Sequence, residues 1–379
     1  MNEQHPSILN KLKIRRIIWP VLIGLGVGGW LMADAWDPEV FRSTKWSTAS
    51  WFFLLGAILL MLMRDVAYIY RIRLLSDNKL SWKQSFQIIL LWEFSSALTP
   101  SVVGGSAVAL YILTKEGISP GRTTAIVLIT AFLDELFYVV MVPLIFIIAG
   151  FEKLFTSQGE YLFLDTPLGI TSIFLVGYLF IVILILIIYG AIFFRPDIFN
   201  WILVRIFSLK ILRRRKQWAI NTGQDIITTS KEMKGKPFSF WLKAFGATVA
   251  SWTARFWVVN LLILTITQVD DHFLIYARQL IMWVIMLISP TPGGSGIAEY
   301  IFGGFLGEFI PTGMAPAMAL LWRLISYYSY LIIGAILLPI WVRRVFKKSP
   351  IHIPHLHLSH KGNQPSATNK DQTEETRKE

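Results

Sequence analysis

The chain has 379 residues, of which 54% are hydrophobic and 14% aromatic, with only 16% charged and no cysteine. A soluble chain of this length divides into domains whose solvated faces need about 25% charged residues, so the composition excludes an ordinary soluble protein and leaves an all-α polytopic membrane protein. Lysines and arginines number 36 against 24 acids, a formal net charge of +12. They gather beside apolar runs at Lys11 to Arg16, Arg213 to Lys216 and Arg343 to Lys348, which marks cytoplasmic membrane flanks and not a nucleic-acid surface. Without cysteine there is no disulfide, thiolate nucleophile or thiolate metal site.

Residues 1–16 read as a basic cytoplasmic N-terminus. Six apolar stretches, 17–33, 50–72, 121–149, 168–193, 241–269 and 316–342, are each long enough to cross about 30 Å of hydrocarbon. The first follows Lys11, Lys13, Arg15 and Arg16 and precedes Asp34, Asp37 and Glu39, which places its start in the cytoplasm. A signal peptide ending at Ala33-Asp34-Ala35 shows the same pattern, and both readings put the next loop outside. The second span ends among Arg71, Arg73, Lys79 and Lys83. Spans 121–149 and 168–193 are joined by an acidic loop with Glu152, Glu160 and Asp165 and form an outward and inward pair. The following loop, about 195–240, is cytoplasmic: eleven lysines or arginines lie between Arg195 and Lys243 against three acids. The fifth span emerges at Asp270 and Asp271, and the last returns to Arg343, Arg344, Lys347 and Lys348. A basic flank and disordered tail at 343–379 end the chain on the cytoplasmic side.

This count leaves two apolar segments, about 84–115 and 273–311, with no net crossing to make. Each is interrupted near its middle, at Thr99-Pro100-Ser101-Val102-Val103-Gly104-Gly105 and at Ser289-Pro290-Thr291-Pro292-Gly293-Gly294. Proline removes a helix donor and glycine permits a turn, so each segment is expected to be a re-entrant hairpin of two half-helices. Gly104 to Tyr111 also aligns with Gly293 to Tyr300 at an offset of 189 residues. One hairpin enters from the cytoplasm and the other from outside, the pattern of an inverted repeat with discontinuous helices. The expected architecture is therefore six full spans plus two hairpins of opposite orientation in a single transmembrane domain, 17–342.

Charges inside apolar spans cost several kcal/mol unless paired or hydrated. The candidates are Arg64, Asp65, Glu93, Asp134, Glu135, Arg255, Arg278, Glu299 and Arg323. Half-helices beginning after Gly105 and Gly294 would turn unpaired amides toward the membrane centre. Arg64, Arg255 and Arg323, with Tyr327, are the residues expected to hold a negatively charged headgroup there. Glu93 and Glu299 would position the arginines or carry a proton. The other reading makes these charges structural locks, and for Arg64, Asp65, Asp134, Glu135 and Arg278 the residues alone leave both open.

The run Trp92 to Ser101 with Gly104-Gly105, the later Pro290-Thr291-Pro292-Gly293-Gly294-Ser295-Gly296-Ile297-Ala298-Glu299, and Arg323 with Tyr327 and Tyr328 together resemble the lysylphosphatidylglycerol synthase transmembrane family, also called the flippase-like domain family. The likeness covers about 15–345. In full-length synthases this membrane region is coupled to a soluble aminoacyl transferase domain and is thought to move the lipid product between leaflets. Here only about 35 residues follow Arg344, rich in Ser, Thr, Gln and Lys and without an apolar core, so the resemblance implies a stand-alone member that does not itself make lysyl lipid.

Two further features carry less. Arg205 to Lys216 places Ile206, Leu209 and Leu212 near one face and reads either as a surface segment on anionic lipid or as a topology signal. His352, His355, His357 and His360 sit in the tail on no rigid element, and no metal or other cofactor is expected. No P-loop, dinucleotide fingerprint, zinc-hydrolase motif or nucleophile elbow occurs, and no catalytic residue is assigned. The leading expectation is a transporter moving an anionic-headgroup lipid across a prokaryotic cytoplasmic membrane, with membrane lipids as partners, no nucleic acid, and homo-oligomerisation left open. The alternatives are a membrane-embedded transferase acting on a lipid phosphate, using Glu93, Asp134 and Glu135, and an ion or small-solute transporter.

Overall fold

Ser47 and Ser81 begin the first two described helices through reciprocal capping. Each hydroxyl accepts the backbone N–H three residues on, and Ser50 and Gln84 bond back to the cap amide, satisfying donors that a helix start leaves orphaned. The computed structural model describes residues 47–99, 102–155, 169–209, 216–287 and 296–348, with Ala33, Glu39 and Gly294 as isolated positions. The expected span at 17–33, the tail, and Pro100, Pro290, Pro292 and Gly293 lie outside the described residues.

The helices in chain order are α1 (Thr48–Leu75), α2 (Trp82–Leu98), α3 (Val102–Lys115), α4 (Pro120–Ala149), α5 (Phe151–Leu154), α6 (Ile170–Tyr189), α7 (Pro196–Ile206), α8 (Lys216–Lys234), α9 (Phe238–Leu264), α10 (His272–Met286), α11 (Ile297–Leu306), α12 (Ala315–Arg323) and α13 (Ser329–Lys348). A π-helical turn, Gly190–Phe194, extends α6, and another, Leu324–Tyr328, joins α12 to α13. Among the described residues, five helical stretches are long and apolar enough to cross a membrane: α1, α4, α6 with its π turn, α9, and Ala315–Val345. Their outer faces are apolar as well. Trp51, Phe52, Leu55, Leu59 and Leu62 of α1, and Leu175, Val176, Leu179, Phe180 and Leu186 of α6, are exposed. A continuous apolar exterior of this size belongs in lipid. The chain is thus an all-α, polytopic membrane protein.

The most extensive helix pair is α1 with α9. Gly56 faces Leu261, the Ser251 hydroxyl donates to the Arg64 carbonyl at 3.1 Å, and Arg71 donates to the Thr248 hydroxyl at 2.7 Å. Rising numbers on one helix meet falling numbers on the other, so the pair is antiparallel.

Against this pair sit two shorter hairpins. In the first, Gln84 at the start of α2 donates to Glu116, one residue past α3, at 2.8 Å, so both open ends lie together. With 17 and 14 residues, at 1.5 Å rise each arm is about 21 to 26 Å long. In the second, Arg278 in α10 donates to the Phe305 carbonyl of α11 at 2.9 Å and pairs with Glu308 at 2.8 Å. The first hairpin opens at the C-terminal end of α1 and the second at the C-terminal end of its antiparallel partner α9. The bends themselves differ from expectation in one respect. Gly104 and Gly105 fall inside α3, which begins at Val102. Gly105 is there for contact, since a Cβ would sit 2.9 Å from the Ser96 Cα across the hairpin. In the second bend the glycines do make the turn: Gly294 and Gly296 have φ of 70° and 84°, values that favour glycine.

Polar locks close the end of the bundle where the first hairpin opens. Glu116 accepts from Gln84, from the Trp341 indole at 2.7 Å and from Arg344, joining the hairpin to α13. Asp77, in the α1–α2 turn, accepts from Arg122 of α4 and from Lys236 at 2.6 Å. Burial alone would raise the Asp77 carboxyl, but the hydrogen bonds from Lys236 and Arg122 outweigh it and hold the carboxyl below its usual range.

Two predictions follow from these contacts. A Cβ at Gly334 of α13 would meet the Phe94 ring of α2 at 2.2 Å, whereas one at Gly303 meets nothing within 4 Å. G334A should cost about 1–3 kcal/mol by overpacking and G303A should be nearly silent, read as thermal unfolding of the detergent-purified protein. For Asp77, the lowered value means its stabilising contribution is complete above the ordinary carboxylate value of 3.8 and is lost as pH falls through the lower folded value. Asn tolerates the positive φ of this position, 53°. The stability gap between parent and D77N should therefore be open at neutral pH and close progressively below pH 3.8.

Candidate functional site

Described residues at the inner ends of the two hairpins line one cavity of about 310 Å³: Ser96, Ala97, Thr99 and Ser106 from the first and Met286, Leu287 and Gly294 from the second. Four arginines also reach it: Arg64 and Arg71 from α1, Arg255 from α9 and Arg323 at the end of α12. Glu93, Asp134 and Glu135 supply acids to the same wall.

Helical spacing explains the α1 contribution. Arg64, Tyr68 and Arg71 lie four and then three residues apart and so share one face. Tyr68 is sandwiched between the two guanidiniums, with centroid distances of 4.5 Å to Arg64 and 4.4 Å to Arg71. Arg64, 1% exposed, donates to Asp65 at 2.8 Å, to Glu93 at 2.6 Å and to the Tyr330 hydroxyl at 2.9 Å. Tyr330 in turn donates to Asp65 at 2.7 Å. Arg71 grips Asp134 with two bonds, 2.6 and 3.0 Å, and the Trp252 indole donates to the same carboxylate at 3.0 Å. Such paired, bidentate geometry is what offsets the desolvation of buried charge.

Arg323 belongs to a second cluster, beside the second bend. Its Nε lies 3.0 Å from Glu299 and its guanidinium 3.9 Å from the centroid of the Tyr327 ring. Tyr327 donates to the Ala97 carbonyl of the first hairpin at 3.0 Å. Glu299 also accepts from the Gly296 amide at 2.7 Å, so one carboxylate caps α11 and holds the arginine. Arg323 directly precedes a π-helical turn, a distortion frequent at functional sites.

Arg255 is different. Its guanidinium lies 4.4 Å from the Trp283 ring and 5.6 Å from the Trp252 ring. Among the described residues no carboxylate comes within salt-bridge distance, and its buried Nε has no hydrogen-bond partner. An arginine held only by aromatic faces keeps its donors for something else.

The structure thus brings Arg64, Glu93, Asp134, Arg255, Arg323, Tyr327, Thr99 and Gly294 to one cavity, with Glu299 behind Arg323. Arg278 is not there. It donates to the carbonyls of Lys153 and Phe305 and pairs with Glu308, a structural clamp. Arg71, which the sequence counted among the basic flank, is 2% exposed and sits inside. Its register with Arg64, seven residues away, was the available signal. Tyr68, Tyr138, Trp252 and Trp283 were also missed as wall residues, because aromatic residues abound in every span.

Residues 17–334 match the lysylphosphatidylglycerol synthase TM region family. The chain belongs to this family. Two curated relatives, both called UPF0104 membrane protein, are archaeal. That of Archaeoglobus fulgidus is 27% identical over 328 residues, covering 81% of this chain and 94% of the relative. That of Methanocaldococcus jannaschii is 27% identical over 274 residues, covering 71% and 77%. Family membership and the polytopic helical fold support a lipid-handling transport role.

The pairing pattern separates the arginines by consequence. R71M leaves Asp134 without its ion partner and should cost toward the lower end of the roughly 3–5 kcal/mol seen when a buried pair is broken, since the Trp252 indole still donates to Asp134. R255M orphans no carboxylate and should leave the unfolding temperature nearly unchanged. Thermal melts of the two purified variants beside the parent provide the comparison.

Proposed function

We propose that the protein moves lipids with a small anionic headgroup between leaflets, the headgroup passing through the cavity while the acyl or prenyl chains stay in the bilayer. The observation that carries this reading is the free guanidinium of Arg255 in a cavity whose other three arginines are each engaged by acids. A phosphodiester oxygen is the natural partner for a planar, aromatic-backed guanidinium. Arg323, oriented by Glu299 and Tyr327, stands at the meeting point of the two hairpins as a second contact, and Arg64 with Glu93 forms the fixed wall.

In this reading the hairpins α2–α3 and α10–α11 are re-entrant. Their arms are shorter than the hydrocarbon core, and their open ends lie at opposite ends of the α1–α9 pair. The 189-residue offset of their motifs fits an inverted repeat. With the expected span at 17–33 they complete six full crossings in one transmembrane domain, 17–342. Both termini and the basic loop then lie on the cytoplasmic side of a prokaryotic cytoplasmic membrane. Thr99 and Gly294 line the headgroup space, and Gly105 lets the first hairpin close against Ser96. Irregular backbone at membrane depth is tolerated where it lines a polar cavity.

The test is leaflet exchange of a fluorescent phosphatidylglycerol in proteoliposomes of phosphatidylcholine. Losing one charge-assisted hydrogen bond is worth about 1.5–3 kcal/mol, so R255M and R323M should each slow exchange, measured per folded protein, roughly 10- to 100-fold. E299Q should slow it less, by loosening Arg323. Exchange at the parental rate in all three variants would discard this site.

A further inference from the structure

The acids around the cavity divide unevenly among the arginines. Asp65 and Glu93 share Arg64, Asp134 is held by Arg71, and Glu299 faces Arg323. Glu135, one residue along α4 from Asp134, has no ion-pair or hydrogen-bond partner among the described residues, although it is 7% exposed, lines the cavity and has its Oε2 fully buried. Three residues further on, the Tyr138 hydroxyl is likewise buried and unpartnered. The Tyr138 ring stands edge-on to Trp252 at 5.1 Å, and Trp252 carries Arg255 on its face. The unengaged acid and the unengaged cation thus line the same cavity, together with Tyr138 and Trp252.

This anatomy changes the roles expected from the sequence. Glu93 and Glu299 are committed to arginines, and protonating either would weaken an ion pair to a buried guanidinium. Glu135 releases nothing when it gains a proton, because no cation depends on it. Counting the cluster, four arginines face five carboxylates, so the empty site with Glu135 ionised carries one net negative charge. A phosphodiester arriving at Arg255 would add a second negative charge to the cavity that Glu135 lines, and like charges in a desolvated site repel. A proton from bulk water, carried on Glu135 as a carboxylic acid O–H, keeps the charge constant.

We propose that Glu135 is the proton-exchanging group of the cavity, and that a headgroup phosphate binds at Arg255 together with one proton on Glu135. This rests on the anion-site reading of Arg255 given above. It supplies an energy source for movement, since a lipid anion accompanied by a proton would follow a proton gradient. The surrounding groups are compatible. From α1, Arg64 and Arg71 are each already paired and Tyr68 lies between them; Glu93 of α2 and Tyr330 of α13 belong to the Arg64 network.

The experiment uses the full chain in detergent, weakly buffered with a pH-indicator dye, titrated with a short-chain phosphatidylglycerol. The parent should take up about one proton per headgroup bound, and its Kd should rise up to tenfold per pH unit on the alkaline side, as linkage of one proton requires. E135Q mimics the protonated acid, so it should bind with no proton uptake and a Kd independent of pH. E93Q should keep the uptake, and R255M should lose both binding and uptake. Binding by the parent without uptake, or uptake by E135Q equal to that of the parent, would overturn the proton assignment and leave the anion site standing. A parent that binds no phosphatidylglycerol would sink the anion site and this proposal with it.

Discussion

A guanidinium placed among apolar helices must be answered by an anion, and most of the interior of this protein is arranged around that requirement. Arg64 and Arg71 each draw in carboxylates from another helix, Glu93 from α2 and Asp134 from α4. Arg323 takes Glu299 from α11. Each pair is worth little as net stability, because desolvation offsets most of the attraction. What each pair supplies is position. Breaking one leaves a buried charge unanswered, so the helices that contribute the partners are held in one register around the cavity.

That register also depends on backbones approaching closely. Gly105 lets α3 close on α2 at Ser96, Gly177 brings α6 onto the Val284 carbonyl of α10, and Gly334 accepts the Phe94 ring between α13 and α2. Lipid tails are as apolar as leucine, so packing rather than water exclusion drives helix association in a membrane, and small residues at contacts strengthen it. The packed helices then frame a space that they do not fill. The locks at Glu116 and Asp77 tie the open end of the first hairpin, and Arg278 ties that of the second, so both bends are held at the cavity from their far ends.

The two unengaged groups, Arg255 and Glu135, stand out against this pattern. A protein that gives Arg64 three hydrogen-bond partners has the means to answer Arg255 as well. Leaving a cation and an acid without partners among the described residues of a desolvated cavity is costly, and native structures carry few such groups without a functional reason. The transport reading assigns them to the cargo and to the proton that accompanies it. The same arrangement explains why losing Arg255 and losing Arg71 should differ so sharply, one affecting the headgroup and the other the fold.

The apolar runs of the sequence determined the helices. The five long apolar helices lie within a few residues of the stretches at 50–72, 121–149, 168–193, 241–269 and 316–342, because about twenty apolar residues in lipid have no structure open to them but a helix. The helix ends near Thr99 and before Gly294 were legible for the same local reason, as proline and glycine act on their own backbone. Which charges answer one another was not legible. Arg71 looked like a flank because its immediate neighbours, Tyr70 and Arg73, fit a membrane boundary. Gly105 looked like a turn residue, though its use is a contact with Ser96, nine positions earlier. Arg64 could pair with any of several acids, and only the packing of α1 against α2 and α13 selected Glu93 and Tyr330. Local backbone chemistry is written in neighbouring residues, so the sequence places most helices, though it set the start of α3 several residues late. Ion pairing depends on which helix faces meet across tens to hundreds of positions, so only the tertiary structure decided that, among the described charged residues of the cavity, Arg255 and Glu135 were left over.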